Sequence, residues 1–113
     1  MKVIIAGGRH YYNYEVVKEA IKESDYQIDE VVCGCATGVD SLGERWAKEN
    51  NIPIHRFSAN WDEHGRAAGP IRNQKMAEYA DGLIAVWDGK SIGTKDMISR
   101  ANKKKLSLFV HRV

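Results

Sequence analysis

Five short apolar runs alternate with four stretches of helical periodicity, and this alternation constrains the fold of the 113-residue chain more than any other feature. Val3-Ile4-Ile5-Ala6 has no polar face and stops at Gly7-Gly8, as a strand buried on both sides would. Asn13 can cap a helix whose apolar stripe is Tyr14, Val17, Ala20 and Ile21. Glu30 to Cys33 reads as the second strand, followed by a helix carrying Val39, Leu42 and Trp46. Gly43 lies on that same side, where it allows close packing on a sheet. Ile52 to Phe57 is the third strand, and Pro53 near its start marks it as an edge.

Residues 58–69 read as a long connection, and Pro70 suits the first position of a third helix with Ile71, Met76, Tyr79 and Ala80. Leu83 to Trp87 is a fourth buried strand. A fourth helix carries Thr94, Met97, Ile98 and Ala101, and Leu106 to Val110 is the fifth strand. Repeated β-α order implies right-handed crossovers and a parallel sheet with helices on both faces. The least polar strands, one and four, belong at the centre. The expectation is a single α/β domain over residues 1–113: a Rossmann-like, doubly wound, five-stranded sheet in the order 3-2-1-4-5.

Composition narrows the function. No apolar run reaches ~18 residues, so no membrane span is expected, and the apolar part of the N-terminus is too short for a secretory leader. The net charge of +2 is weaker than the basic bias usual in nucleic-acid binders, so nucleic acid is not the expected partner. Cys33 and Cys35, one residue apart, cannot staple the chain, which points to a reducing cytoplasm. They read as small buried residues. The four histidines show no metal-ligand spacing, and neither a metal nor a cofactor is expected.

In an open α/β sheet a ligand sits beyond the carboxyl ends of the strands, at the switch point between strands one and four. The corners there are Gly7-Gly8-Arg9-His10, Gly34 to Asp40, the 58–69 connection, and Asp88 to Thr94. Three of these four are glycine-rich, and helix N-termini bring free N–H groups to the same rim. That chemistry suits a phosphate or carboxylate, with Arg9, Arg72, Ser91 and Thr94 as side-chain donors. Arg72 shares a helix face with Met76, so it points inward from the first turn of its helix. A cation there opposes the helix dipole, and either an anionic ligand or a buried carboxylate such as Asp40 or Asp88 would offset it.

Several signals have plain alternatives. Gly89-Lys90-Ser91 is not a phosphate loop of the Walker type, because Ile84 stands where the first glycine belongs. Asp62-Glu63-His64 reads as a solvated loop. Lys103-Lys104-Lys105 suits a helix C-terminus. Asp40 reads equally as a helix cap and as a carboxylate for chemistry. Trp46 reads as core, while Trp61 and Trp87 flank the cleft and could stack on a base or simply pack.

The set Gly7-Gly8-Arg9, Gly34-x-Ala36-Thr37-Gly38-x-Asp40, Ala68-Gly69-Pro70-x-Arg72-Asn73-x-x-Met76 and Gly89-x-Ser91-x-Gly93-Thr94 resembles the SLOG superfamily. It is most similar to the small YspA, cpYpsA-related branch of bacteria and phages. The resemblance implies a Rossmann-like fold that binds a nucleotide or nucleotide derivative, as a sensor or sequestering module. It places that ligand on Gly7, Gly8, Arg9, Gly34, Ala36, Thr37, Gly38, Asp40, Arg72, Asn73, Gly89, Ser91, Gly93 and Thr94, with an NAD- or ADP-ribose-related molecule as one option and homodimers as a common state. Relatives include the LOG phosphoribohydrolases, which hydrolyse N-glycosidic bonds of nucleotides, and DprA, which acts on single-stranded DNA. Both activities stand as alternatives to simple binding. The LOG pattern ends in an acidic pair; here Asp96 is present but Met97 fills the final acidic position. The implied catalytic residues are therefore unassigned, and binding is expected over turnover.

Overall fold

A computed structural model describes residues 1–113. Its strands are β1 (Lys2–Gly7), β2 (Glu30–Cys33), β3 (Ile54–Arg56), β4 (Gly82–Trp87) and β5 (Ser107–Arg112). They form one parallel sheet in the order β3-β2-β1-β4-β5, as expected. The helices are α1 (Tyr14–Ser24), α2 (Val39–Glu49), α3 (Trp61–His64), α4 (Ala68–Tyr79) and α5 (Ile92–Lys103).

The period-two pleat sorts the central strands into two cores. Val3, Ile5, Ile84 and Val86 pack under α1 and α2 with Val17, Ile21, Val39 and Leu42. Ile4, Ala6, Leu83 and Ala85 pack under α4 and α5 with Met76, Ala77, Met97 and Ala101. Residues 3 to 5 and 83 to 86 are all at most 1% exposed, so these strands have no solvent face. At Gly43 α2 lies close against the sheet: a Cβ there would lie 2.9 Å from Ile5 Cγ2. Trp46 is only partly buried against the first core.

The 58–69 segment differs from its expected form. It folds as α3, a 3₁₀ turn over Gly65–Ala67, and the start of α4 at Ala68. Asn60 explains α3: its Oδ1 accepts from Glu63 N at 3.1 Å, and its Nδ2 donates to Glu63 Oε2 at 3.0 Å. The first bond is an N-cap, the second ties the two side chains together, and Asp62 and Glu63 favour the same helix end. Pro70 is consequently the third residue of α4 rather than the first. Its missing N–H still falls among the first-turn donors that lack an intrahelical partner. Arg72 lies beyond the first turn. β3 is shorter than expected because Pro53 stays outside it, offering only its carbonyl to Val31 N at 2.9 Å. No helix is long and apolar enough to cross a membrane.

Candidate functional site

The sheet order puts the carboxyl ends of β1 and β4 side by side, with Gly7 paired to Val86. The chain leaves these strands in opposite directions, towards α1 and towards α5. The space between is a cleft of about 620 Å³. Ala6, Met76, Val86 and Met97 give it an apolar floor. Its rim carries Gly8, Arg9, Ala36, Asp40, Arg72 and Asn73 on one side and Asp88, Lys90 and Ser91 to Thr94 on the other.

The α5 side is built by short-range hydrogen bonds. Asp88 Oδ1 accepts from Lys90 N at 2.7 Å and from Ser91 N at 2.8 Å, which closes the turn. These two backbone bonds hold the Asp88 carboxyl below the usual carboxylate range. Ser91 is the N-cap, accepting weakly from Thr94 N at 3.5 Å, and its hydroxyl also meets Thr94 Oγ1 at 3.0 Å. Trp87 Nε1 donates to Ser91 O at 3.1 Å, so this tryptophan holds the turn. The N–H groups of Ile92 and Gly93 come before the first intrahelical bonds and have no partner within the helix. A Cβ on Gly93 would meet nothing within 4 Å.

Arg72 is anchored without a carboxylate partner. Its Nη1 donates to Gly34 O and its Nε to Asn73 Oδ1. Asn73 Nδ2 donates to Gly93 O at 3.3 Å and to Asp96 Oδ2 at 3.0 Å, and Asp96 also pairs with Arg100 at 2.9 Å. This chain of bonds fixes Arg72 relative to the start of α5. It also ties Asp96 down away from the cleft. Met97 is 1% exposed and packs on the sheet with Thr94 and Ala101, as its helical stripe implies.

Asp40 does not cap α2. Gly38 is the N-cap, and no side chain bonds there. Asp40 sits in the first turn, buried, with Oδ2 accepting from Ala36 N at 3.2 Å. Burial pushes its carboxyl up to about 6; the Ala36 N–H and the cations of Arg72 and Arg9 pull it down.

Ten of the fourteen residues expected at the site line the cleft: Gly7, Gly8, Arg9, Ala36, Asp40, Arg72, Asn73, Ser91, Gly93 and Thr94. The other four stand behind it. Gly34 is small because a Cβ would lie 2.9 Å from both Arg72 Nη1 and Asp40 Oδ2. Thr37 donates its hydroxyl to Arg9 O at 3.0 Å. Gly38, at φ 70°, presses on Gly8 O, and Gly89, at φ 81°, leaves room for Arg112. Sequence reasoning left out His10, Tyr11, Lys90, Ile92 and Val113, which also line the cleft. His10 and Lys90 sit in segments already marked by the strand-end rule. Val113 carries no local signal, because it reaches the cleft only by following β5 alongside Trp87. Trp61 is half-exposed, with the Arg9 guanidinium 6.0 Å from its ring centroid.

Residues 1–64, more than half of the chain, match the YspA, cpYpsA-related SLOG family. The chain belongs to that family. The Gene 61 protein of Mycobacterium phage D29 is 32% identical, over 90% of this chain and 89% of its own length. In three dimensions the SLOG chain resembles DNA processing protein A (DprA) from Streptococcus pneumoniae, with a TM-score of 0.78 over 96% of its residues. Identity to DprA is 18%, so the likeness is one of fold, and the SLOG chain spans 49% of the DprA chain.

Proposed function

We propose that this SLOG protein binds a nucleotide or nucleotide derivative in the cleft between β1 and β4. One observation carries the reading. Arg9, Arg72 and the free N–H groups at the start of α5 converge over an apolar floor, at the switch point of the sheet. The anionic groups of the ligand belong at Gly8-Arg9 and Ser91 to Thr94. Its base belongs towards Trp61, whose exposed ring offers a stacking surface. A volume of about 620 Å³ is in the range of small-molecule sites. A role as sensor or sequestering module follows from binding without turnover.

The carboxylate inventory supports binding over hydrolysis. Met97 cannot stabilise a cationic sugar or activate water, and Asp96 is engaged by Asn73 and Arg100. Asp40 keeps a hydrolytic reading alive, since its carboxyl lines the cleft and is pushed up to about 6. A role on single-stranded DNA has only a resemblance of fold behind it.

Titration calorimetry with AMP, CMP, NAD, ADP-ribose and a short oligonucleotide, followed by chromatography of the mixtures, tests the proposal. At least one mononucleotide or dinucleotide is expected to bind without release of its base. Arg72→Ala is expected to weaken that binding by about 1.5–3 kcal/mol, the scale of a charge-assisted hydrogen bond. Unchanged affinity would leave Arg72 as a tether between α4 and the β2 corner. Base release that Asp40→Asn abolishes would replace the binding reading with the hydrolytic one.

A further inference from the structure

We propose that Cys33, Cys35 and Glu44 form a site for one zinc-type divalent cation, on the flank of the sheet outside the cleft. Cys33 ends β2, Cys35 follows in the corner, and Glu44 reaches back from the second turn of α2. One ligand atom from each lies within 4.8 Å of the others. Two sulfurs bound to one zinc in tetrahedral geometry stand roughly 3.8 Å apart, given Zn–S bonds of about 2.3 Å. Cys35 is exposed, so its side chain has room to turn towards Cys33.

The surroundings offer a cation both a carboxylate and a place for the thiol protons' charge. Glu44 divides its two oxygens: Oε2 accepts from the Cys33 thiol at 3.0 Å, and Oε1 is held by Arg56 at 2.7 Å. A cation taking the place of the thiol proton would find Oε2 aimed at it and Oε1 fixed from outside, as outer-shell partners fix metal-bound carboxylates. Cys35 N–H donates to Cys33 Sγ at 3.2 Å, a bond that suits a thiolate. Charge also balances. Binding one divalent cation releases two thiol protons, giving a neutral dithiolate, and Glu44 and Arg56 cancel. Two sulfurs with one carboxylate select zinc-like cations over calcium or magnesium, and a fourth position is left for water. The spacing of the cysteines alone did not reveal this group, because its third member comes from the next helix.

Cobalt(II), added to the reduced protein under argon, is the probe. The expected result is saturation at one equivalent, with a near-ultraviolet thiolate-to-cobalt band and the visible bands of four-coordinate cobalt, all bleached by zinc. Cys35→Ser, at an exposed position, should halve the ultraviolet band per bound cobalt and weaken binding at least ~10-fold. Glu44→Gln should keep the band and weaken binding ~10-fold or more. Circular dichroism checks that both variants are folded. Absence of the ultraviolet band in the unmodified protein overturns the site. So does cobalt affinity unchanged by either substitution.

Discussion

Gly38→Ala is expected to lower the unfolding free energy by about 2–6 kcal/mol in urea denaturation, enough to unfold much of a marginally stable domain. Gly38 adopts φ 70° and ψ −129°, a region closed to residues with a Cβ. That strain costs about 1–3 kcal/mol. The new methyl would also lie 2.1 Å from Gly8 O and 2.5 Å from Arg9 C. These are backbone atoms, so no side-chain rotation relieves the contact, and overpacking adds about 1–3 kcal/mol. The same contact brings Gly8 O to the Val39 N–H at 3.1 Å, which joins the start of α2 to the rim of the cleft. Thr37→Ala, one residue away, removes only the hydroxyl bond to Arg9 O and is expected to cost ~1 kcal/mol. Equal losses for the two variants would show that the close approach at Gly38 relaxes freely.

Asp40 gives the second large effect, and it depends on pH. Its carboxyl is raised by burial from 3.8 to about 6 in the folded chain, so the folded state binds the proton more tightly. Stability from this group is fully present below the unfolded value and is lost as pH rises through about 6. The loss at neutral pH is on the order of 2–3 kcal/mol. Asp40→Asn leaves a neutral oxygen of the same shape for the Ala36 N–H. Relative to the unmodified protein, the variant should therefore gain on the order of 2–3 kcal/mol between about pH 4 and about pH 7.5. Taking the difference between the two proteins at each pH removes the titration of all other groups. A difference that stays flat over that window would mean that Arg72 and Arg9 fully compensate the buried charge.

The architecture was legible because β1 and β4 are apolar on both faces. Only central parallel strands can use such runs, and Pro53 placed β3 at an edge. α3 was overlooked because Gly65 and the polar run beside it masked a four-residue signal, the Asn60 N-cap and its bonds to Glu63. The glycine corners lie at the strand ends, and their roles divide. Gly7, Gly34 and Gly38 allow chain segments to touch, while Gly93 opens onto empty space. Sequence alone does not separate these uses, since each is decided by an atom distant in the chain: Val86 O for Gly7, Arg72 for Gly34, and Gly8 O for Gly38. Cys35 was expected to be buried like Cys33 but is exposed, because alternate strand positions no longer apply once β2 ends at Cys33.

In the proposed complex the cleft at the start of α5 receives the anionic part of a nucleotide ligand. Amide chemical-shift mapping during titration with ADP-ribose, AMP and NAD tests it most directly. The largest shifts are expected on Gly8, Arg9, Ile92, Gly93 and Thr94, which line the cleft. Shifts centred instead on the β3 edge or on Lys103 to Lys105, or no saturable shift with any of the three, would contradict it.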